Sequence, residues 1–264
     1  MTIARSLAAA QTIPKRGDVE GNLDGHIRII RAAAEERVRV LVFPELSLMG
    51  YELGLADALA FSENDSRLLP LIESAAAYHM TLVVGAPVRI GPRLHIGAFI
   101  VSPDRSVGLY TKQRLGAFPS DASPDGVVPP AEASVFEPGD RNPLVHFGDS
   151  IAAVAVCADI GRSHHAREAA ERGARTYLAS MFVIPADLEH DTAMLRQYAV
   201  RHSLVVVFAN FGGPSGGLPS GGSSAIISEE GVVVAQLQPT GAGLAVAIED
   251  EHGWHAKELM LAGL

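Results

Sequence analysis

The chain has 264 residues, 48% of them hydrophobic and 19% charged, enough apolar material for a sizeable core. Its formal net charge of −9 repels phosphate backbones, and no basic stripe with interleaved aromatics offsets it, so nucleic acid is not an expected partner. The single cysteine rules out an intrachain disulfide and a cysteine-based metal cluster.

Taken in chain order, "ARSLAAAQ" reads as a first strand. A helix follows over "NLDGHIRIIRAAAEER", with Ile27, Ile30 and Ala34 at helical spacing and Asn22 as its cap. "VRVLVFPE" is a near-continuous apolar run and predicts a strand covered on at least one face. "DSRLLPLIESAAAYHM" predicts a second helix and "TLVVGAPV" the next strand. "RLHIGAFIVSPDRSVGLYTK" reads as two strands joined at a Pro-Asp turn. After Lys112 comes "GAFPSDASPDGVVPPAEASVFEPGD", a loop of a length that is usually functional or disordered.

"SIAAVAVCADI" then predicts a strand, "HHAREAAERGA" a helix, "RTYLASMF" a strand and "DTAMLRQYAVRHS" a helix. "LVVVFANF" is a further strand, and "GGSSAIIS" with "GVVVAQL" a closing hairpin. The tail "GLAVAIEDEHGWHAKELML" predicts a last strand and a short helix. Alternating βα units with antiparallel hairpins among them define the α/β class with a mixed sheet. No Pro/Gly/Ser-rich linker divides the sequence, which predicts a single domain over residues 1–264. No apolar run approaches the ~20 residues of a membrane span, and the N-terminal segment lacks a signal-peptide core. The expectation is a cytoplasmic protein without a membrane partner.

Three reactive side chains stand where apolar strands end: Glu45 in "VLVFPELS", Lys112 in "GLYTKQRL" and Cys157 in "VAVCADIG". Strand ends are where a rigid sheet presents side chains to a cleft. Singly, each has an ordinary structural explanation: a packed core thiol, a helix-start acid, a solvated edge lysine. As a set they carry a resemblance. "AAAQTIPKRGDVEGNL", "LVFPELSLMGYE", "YTKQRL", "FEPGD", "CADIGR" and "VVVFANF…GGSSAIISEEGVVVA" resemble, in order, the segments of the nitrilase superfamily of carbon–nitrogen hydrolases. Members of that superfamily use a Glu–Lys–Cys triad in this chain order.

The resemblance implies a four-layer αββα sandwich with mixed sheets, commonly assembled as a homodimer or higher homo-oligomer. It implies Cys157 as nucleophile, Glu45 as general base and Lys112 as the cation that holds the tetrahedral intermediate, with the backbone N–H of Ala158 beside it. Glu132 in "PAEASVFEPGD" matches the second glutamate of many family amidases, and Tyr51, Met181 and Phe182 are the matching substrate-pocket positions. Cys157-Ala158-Asp159 replaces the C-W-E of true nitrilases, which favours hydrolysis of a small amide or an N-carbamoyl group over a nitrile. No extra synthetase domain is read, which argues against a coupled glutaminase, and no membrane spans, which argues against the lipoprotein acyltransferase branch. A catalytically weak binding or scaffold member is a further alternative, opposed by the intact trio.

Other features point elsewhere. His164 and His165 open the helix after the cysteine, where surface or capping roles are commoner than catalysis. The histidines show no H-x-x-x-H pair, so neither a metal site nor a cofactor is expected. "GGPSGGLPSGG" leads into a strand, so it does not cradle a phosphate; it reads as a flexible rim near the substrate mouth. Asp159 is expected to cap the turn after Cys157 through its side chain.

Overall fold

Every residue of β1 (Ser6–Gln11) is buried, and its two faces are buried against different layers. Leu7 and Ala9 face a second sheet, whereas Ala8 and Ala10 face helices. Period-two alternation between two apolar environments is what turns a continuous apolar run into a central strand. In the computed structural model, which describes residues 5–123 and 125–263, this pattern repeats through both sheets.

The first sheet has the order β13 (Gly253–Met260), β12 (Gly243–Asp250), β1, β2 (Val40–Val42), β3 (Thr81–Ile90), β4 (Arg93–Val101), β5 (Val107–Thr111). The second runs β11 (Val233–Gln236), β10 (Ala225–Ile227), β9 (Val205–Ala209), β8 (Thr176–Ser180), β7 (Ser150–Val156), β6 (Leu144–Phe147). Parallel pairs occupy the centre of each sheet and antiparallel pairs its flanks. Val40, Val42 and Val83 meet Val154, Val156, Leu178 and Val207 between the sheets. Helices α1 (Val19–Glu35) and α3 (Leu69–Tyr78) cover the outer face of the first sheet; α4 (Ser163–Glu171) and α5 (Leu188–His202) cover the second. The short α2 (Ala56–Leu59) lies in the connection between β2 and α3. The result is the expected four-layer αββα sandwich.

A parallel bridge between Thr12 and Phe211, with the Gly212 N–H donating to the Thr12 carbonyl at 2.7 Å, ties the two sheets where β1 and β9 end. Both sets of central strands therefore point to the same end of the sandwich. Glu45, Lys112 and Cys157 lie just beyond the C-terminal ends of β2, β5 and β7.

The structure differs from the sequence reading in two elements. Helix α1 begins earlier, with Asp18 as cap accepting from the Gly21 N–H at 2.9 Å. Asn22 lies inside the helix. Its side chain exchanges hydrogen bonds with both backbone groups of Lys15 and donates to the Leu48 carbonyl. The buried stripe is Asn22, His26, Ile29, Ile30 and Ala33, so Ile27 and Ala34 are only half-buried. The tail forms no helix: β13 pairs with β12 through eight registered pairs, reversed at a turn where Asp250 accepts from the His252 N–H. "AKELM" consists of good helix formers, and pairing to a buried neighbour strand overrides that local preference.

Candidate active site

Each candidate side chain is held by a turn that its neighbours enforce. After β2, Phe43-Pro44-Glu45 leaves the sheet and Leu46 takes φ +51°. The turn is pinned by the Ser180 hydroxyl on the Phe43 carbonyl and by the Glu45 N–H on the Met181 carbonyl. It presses on β3 so closely that a Cβ at Gly85 would lie 2.4 Å from the Leu46 nitrogen, so only glycine fits there. From behind, His26 accepts the Ser47 hydroxyl proton on Nε2 while its Nδ1–H donates to the Asn22 carbonyl. That assignment follows because a carbonyl can only accept.

Lys112 follows β5, with its N–H on the Ile96 carbonyl and its own carbonyl receiving the Gly139 N–H at 2.7 Å. A Cβ at Gly139 would lie 2.1 Å from the Thr111 hydroxyl, which explains the glycine of "FEPGD". Cys157 opens a single 3-10 turn, Cys157–Gly161, with φ +43°, a conformation that costs a non-glycine residue energy and marks a constrained site. A turn of this kind leaves its first peptide N–H groups, including that of Ala158, without partners inside the turn.

These turns bring four of the predicted residues together. The Lys112 ammonium donates to Glu45 Oε1 at 2.7 Å and to Glu132 Oε1 at 2.8 Å, and the side chains of Lys112 and Glu45 are wholly inaccessible. Glu132 Oε1 also accepts the Tyr51 hydroxyl at 2.7 Å, and its Oε2 accepts the Gly116 N–H at 2.7 Å. Glu45 Oε2 has no hydrogen-bond partner. Two carboxylates thus share one cation away from water. Burial pushes the Glu45 carboxyl up to about 7; Lys112 opposes that shift and Glu132 adds to it. Burial lowers the Lys112 ammonium's affinity for its proton, but the surrounding anions outweigh this and keep it charged. The half-buried Cys157 contacts the Phe182 carbonyl at 3.5 Å through Sγ. Burial raises its thiol well above the usual range, with Glu45 adding and Lys112 opposing.

Tyr51 and Phe182 pack together, ring centroids 4.9 Å apart, and Phe118 meets both edge-on at 5.5 Å. Phe118 escaped the sequence reading. A lone aromatic in a Pro/Ser/Asp loop was its signal. Met181 is placed differently from the expectation: its side chain packs in the core on the α4/α5 side, and only its carbonyl serves the Glu45 turn. His164 is exposed, whereas His165 is buried among tyrosines rather than on the surface. The glycine-rich segment borders Tyr51, with Ser215 Oγ accepting the Tyr51 N–H and the Gly216 N–H donating to Glu52. Asn210 anchors its return, bridging Val183, Phe211 and Gly222.

The sequence pattern of the carbon-nitrogen hydrolases matches residues 6–251, and the chain belongs to that family. An amidase of Nesterenkonia sp. AN1 from the nitrilase superfamily shares the fold. Its structure with the acetamide moiety of fluoroacetamide covalently added at the active site cysteine superposes with a TM-score of 0.79 at 26% identity, covering 91% of this chain and 88% of that one. An (R)-stereoselective amidase of a Pseudomonas species is 25% identical over 85% of this chain and 77% of its own length. A glutamine-dependent NAD(+) synthetase of Thermotoga maritima is 31% identical over 57% of this chain, and the match spans 25% of that protein's length.

Proposed function

We propose that the protein hydrolyses the C–N bond of a small uncharged amide through a cysteine thioester, with Glu45, Lys112 and Cys157 as the catalytic residues and Glu132 orienting the lysine. What carries the reading is one arrangement: a buried ammonium bridging two carboxylates, beside a thiol on a strained strand-to-helix turn. The amide-hydrolysing relatives support it.

The thiol is held protonated at rest, so attack requires a base. Glu45, whose Oε2 is unpaired and whose carboxyl titrates near neutrality, takes that proton as sulfur bonds to the amide carbon. The carbonyl π electrons move to oxygen, where the Lys112 ammonium and the Ala158 N–H meet the new charge. Collapse breaks the C–N bond, the Glu45 proton passes to the departing nitrogen, and the acyl group stays on sulfur. Water then attacks the thioester, giving its proton to Glu45. The C–S bond breaks, carboxylic acid leaves, and the proton returns to sulfur. Tyr51, Phe118 and Phe182 offer the acyl group an apolar wall that suits an uncharged chain.

The test is ammonia release across aliphatic amides, ω-amides and N-carbamoyl amines, with glutamine included because of the synthetase relatives, alongside intact-protein mass spectrometry. The expected result is turnover of a small aliphatic or aromatic amide, an acyl adduct on Cys157, and no turnover by Cys157→Ala. Turnover undiminished in Cys157→Ala, or none with any amide, overturns the proposal. Release from N-carbamoyl amines alone would move the assignment to carbamoyl hydrolysis.

A further inference from the structure

Lys112 and Cys157 stand on different sheets, one just past β5 at an edge of the first and the other just past β7 in the second. Between the sheets lies apolar packing, which is strong but non-directional. A fixed distance between an attacking sulfur and a stabilising cation needs directional contacts.

Asp159 makes such contacts to both. Its carboxylate is fully buried. Oδ1 accepts the N–H groups of Gln113 at 3.0 Å and Arg114 at 2.7 Å, the two peptides that follow Lys112. Oδ2 accepts the N–H of Val156 at 3.1 Å, the residue before Cys157, and the hydroxyl of Tyr110 at 2.7 Å, two residues before Lys112. One side chain thereby grips the chain on both sides of the lysine and the entry to the cysteine turn. This is more than the cap expected from its position.

Behind it the polarity is fixed by valence. The single Tyr110 hydroxyl proton goes to the acceptor-only carboxylate, so His165 Nε2–H donates to the Tyr110 oxygen at 2.9 Å. The neutral ring then accepts the Tyr177 hydroxyl on Nδ1 at 2.7 Å. The chain Tyr177, His165, Tyr110, Asp159 points one way, from β8 through α4 to β5 and the elbow.

We propose that Asp159 is a positioning residue whose buried carboxylate sets the Lys112 ammonium against the Cys157 sulfur, an inference that rests on the catalytic roles given above to those two groups. Asp159→Asn nearly preserves shape but not valence. Whichever way the amide turns, its NH2 faces two donors and leaves them without an acceptor. Tyr110→Phe deletes one hydroxyl and one of the four contacts.

The experiment measures the pH dependence of Cys157 alkylation by iodoacetamide, together with kcat and KM on the best amide. In folded Asp159→Asn the alkylation profile is expected to move to higher pH, because the thiolate loses its cation. Its kcat should fall about 100-fold, the scale of an ångström of misplacement, with KM little changed. Tyr110→Phe should move both readouts in the same direction by about tenfold or less. A folded Asp159→Asn with the wild-type profile and kcat overturns the proposal. If that variant does not fold, an unchanged Tyr110→Phe overturns it. Alkylation needs no turnover. A wild-type protein that hydrolyses no amide would therefore sink the amidase reading and leave the alkylation profiles to decide this one.

Discussion

The Glu45 turn and the Cys157 elbow are built alike and finished differently. Each contains a non-glycine residue at positive φ, Leu46 at +51° and Cys157 at +43°. Each is backed by a buried neutral histidine on the helix layer behind it. His26 is lowered to about 4 by burial, and His165 is lowered by the same cause. Each holds a buried carboxylate. Asp159 receives four donors, and both oxygens are saturated. Glu45 receives one donor on Oε1 and leaves Oε2 without a partner. A saturated buried carboxylate can only hold things in place. An unsaturated one retains a lone pair for a proton, at the cost of being pushed toward neutrality.

The largest break in this comparison is Glu45→Gln, which keeps the size and removes the proposed base. It is expected to lower kcat/KM by roughly 10²- to 10⁴-fold while the protein still melts cooperatively, measured by ammonia release and circular dichroism. The pH dependence sharpens the same point. In the proposed mechanism Glu45 acts when ionised, and burial raises its carboxyl to about 7. Activity is therefore present above that pH, and kcat/KM should fall roughly tenfold per pH unit below it. A profile flat down to pH 5 would remove Glu45 as the base.

Asp159→Asn has its counterpart effect on stability. Leaving buried donors unpaired should cost about 1–3 kcal/mol, read as a lower denaturant midpoint, whereas Glu45→Gln should cost less because one oxygen is already unpaired. Smallest is Phe118→Ala. Losing one aromatic wall should raise KM for an apolar amide by about tenfold or less, with kcat changed little.

How much of this was legible in the sequence depended on what each residue answers to. Glu45, Lys112 and Cys157 stood out as candidates because apolar runs stop at them, a local property, but only the resemblance to the carbon–nitrogen hydrolases joined them as a set. Glu132 was picked out by the same resemblance, from its place before "FEPGD", and Gly139 shows why that turn sits so near the lysine. Met181 was misjudged because it follows β8, where the chain leaves the sheet and side-chain alternation no longer says which layer a residue enters. The tail's helix formers were overruled by a neighbour strand that no local window contains. Phe118 was hidden because its partners, Tyr51 and Phe182, are distant in the chain. Three of the four contacts of Asp159, to Tyr110, Gln113 and Arg114, cross from one sheet to the other, so only the assembled fold displays them; the fourth, to Val156, is the local cap its position suggests.

Glu132 does one thing more. Besides its Oε2 contact with the Gly116 N–H, its own N–H donates to the Gly116 carbonyl at 3.1 Å. The chain from 116 to 132 is thus stapled shut at its base, with Phe118 just inside the staple. Such a closed loop is a cartridge. Its contents can be exchanged by an engineer while Gly116 and Glu132 stay, so the wall proposed to meet the acyl group can be redesigned without moving the lysine that Glu132 holds.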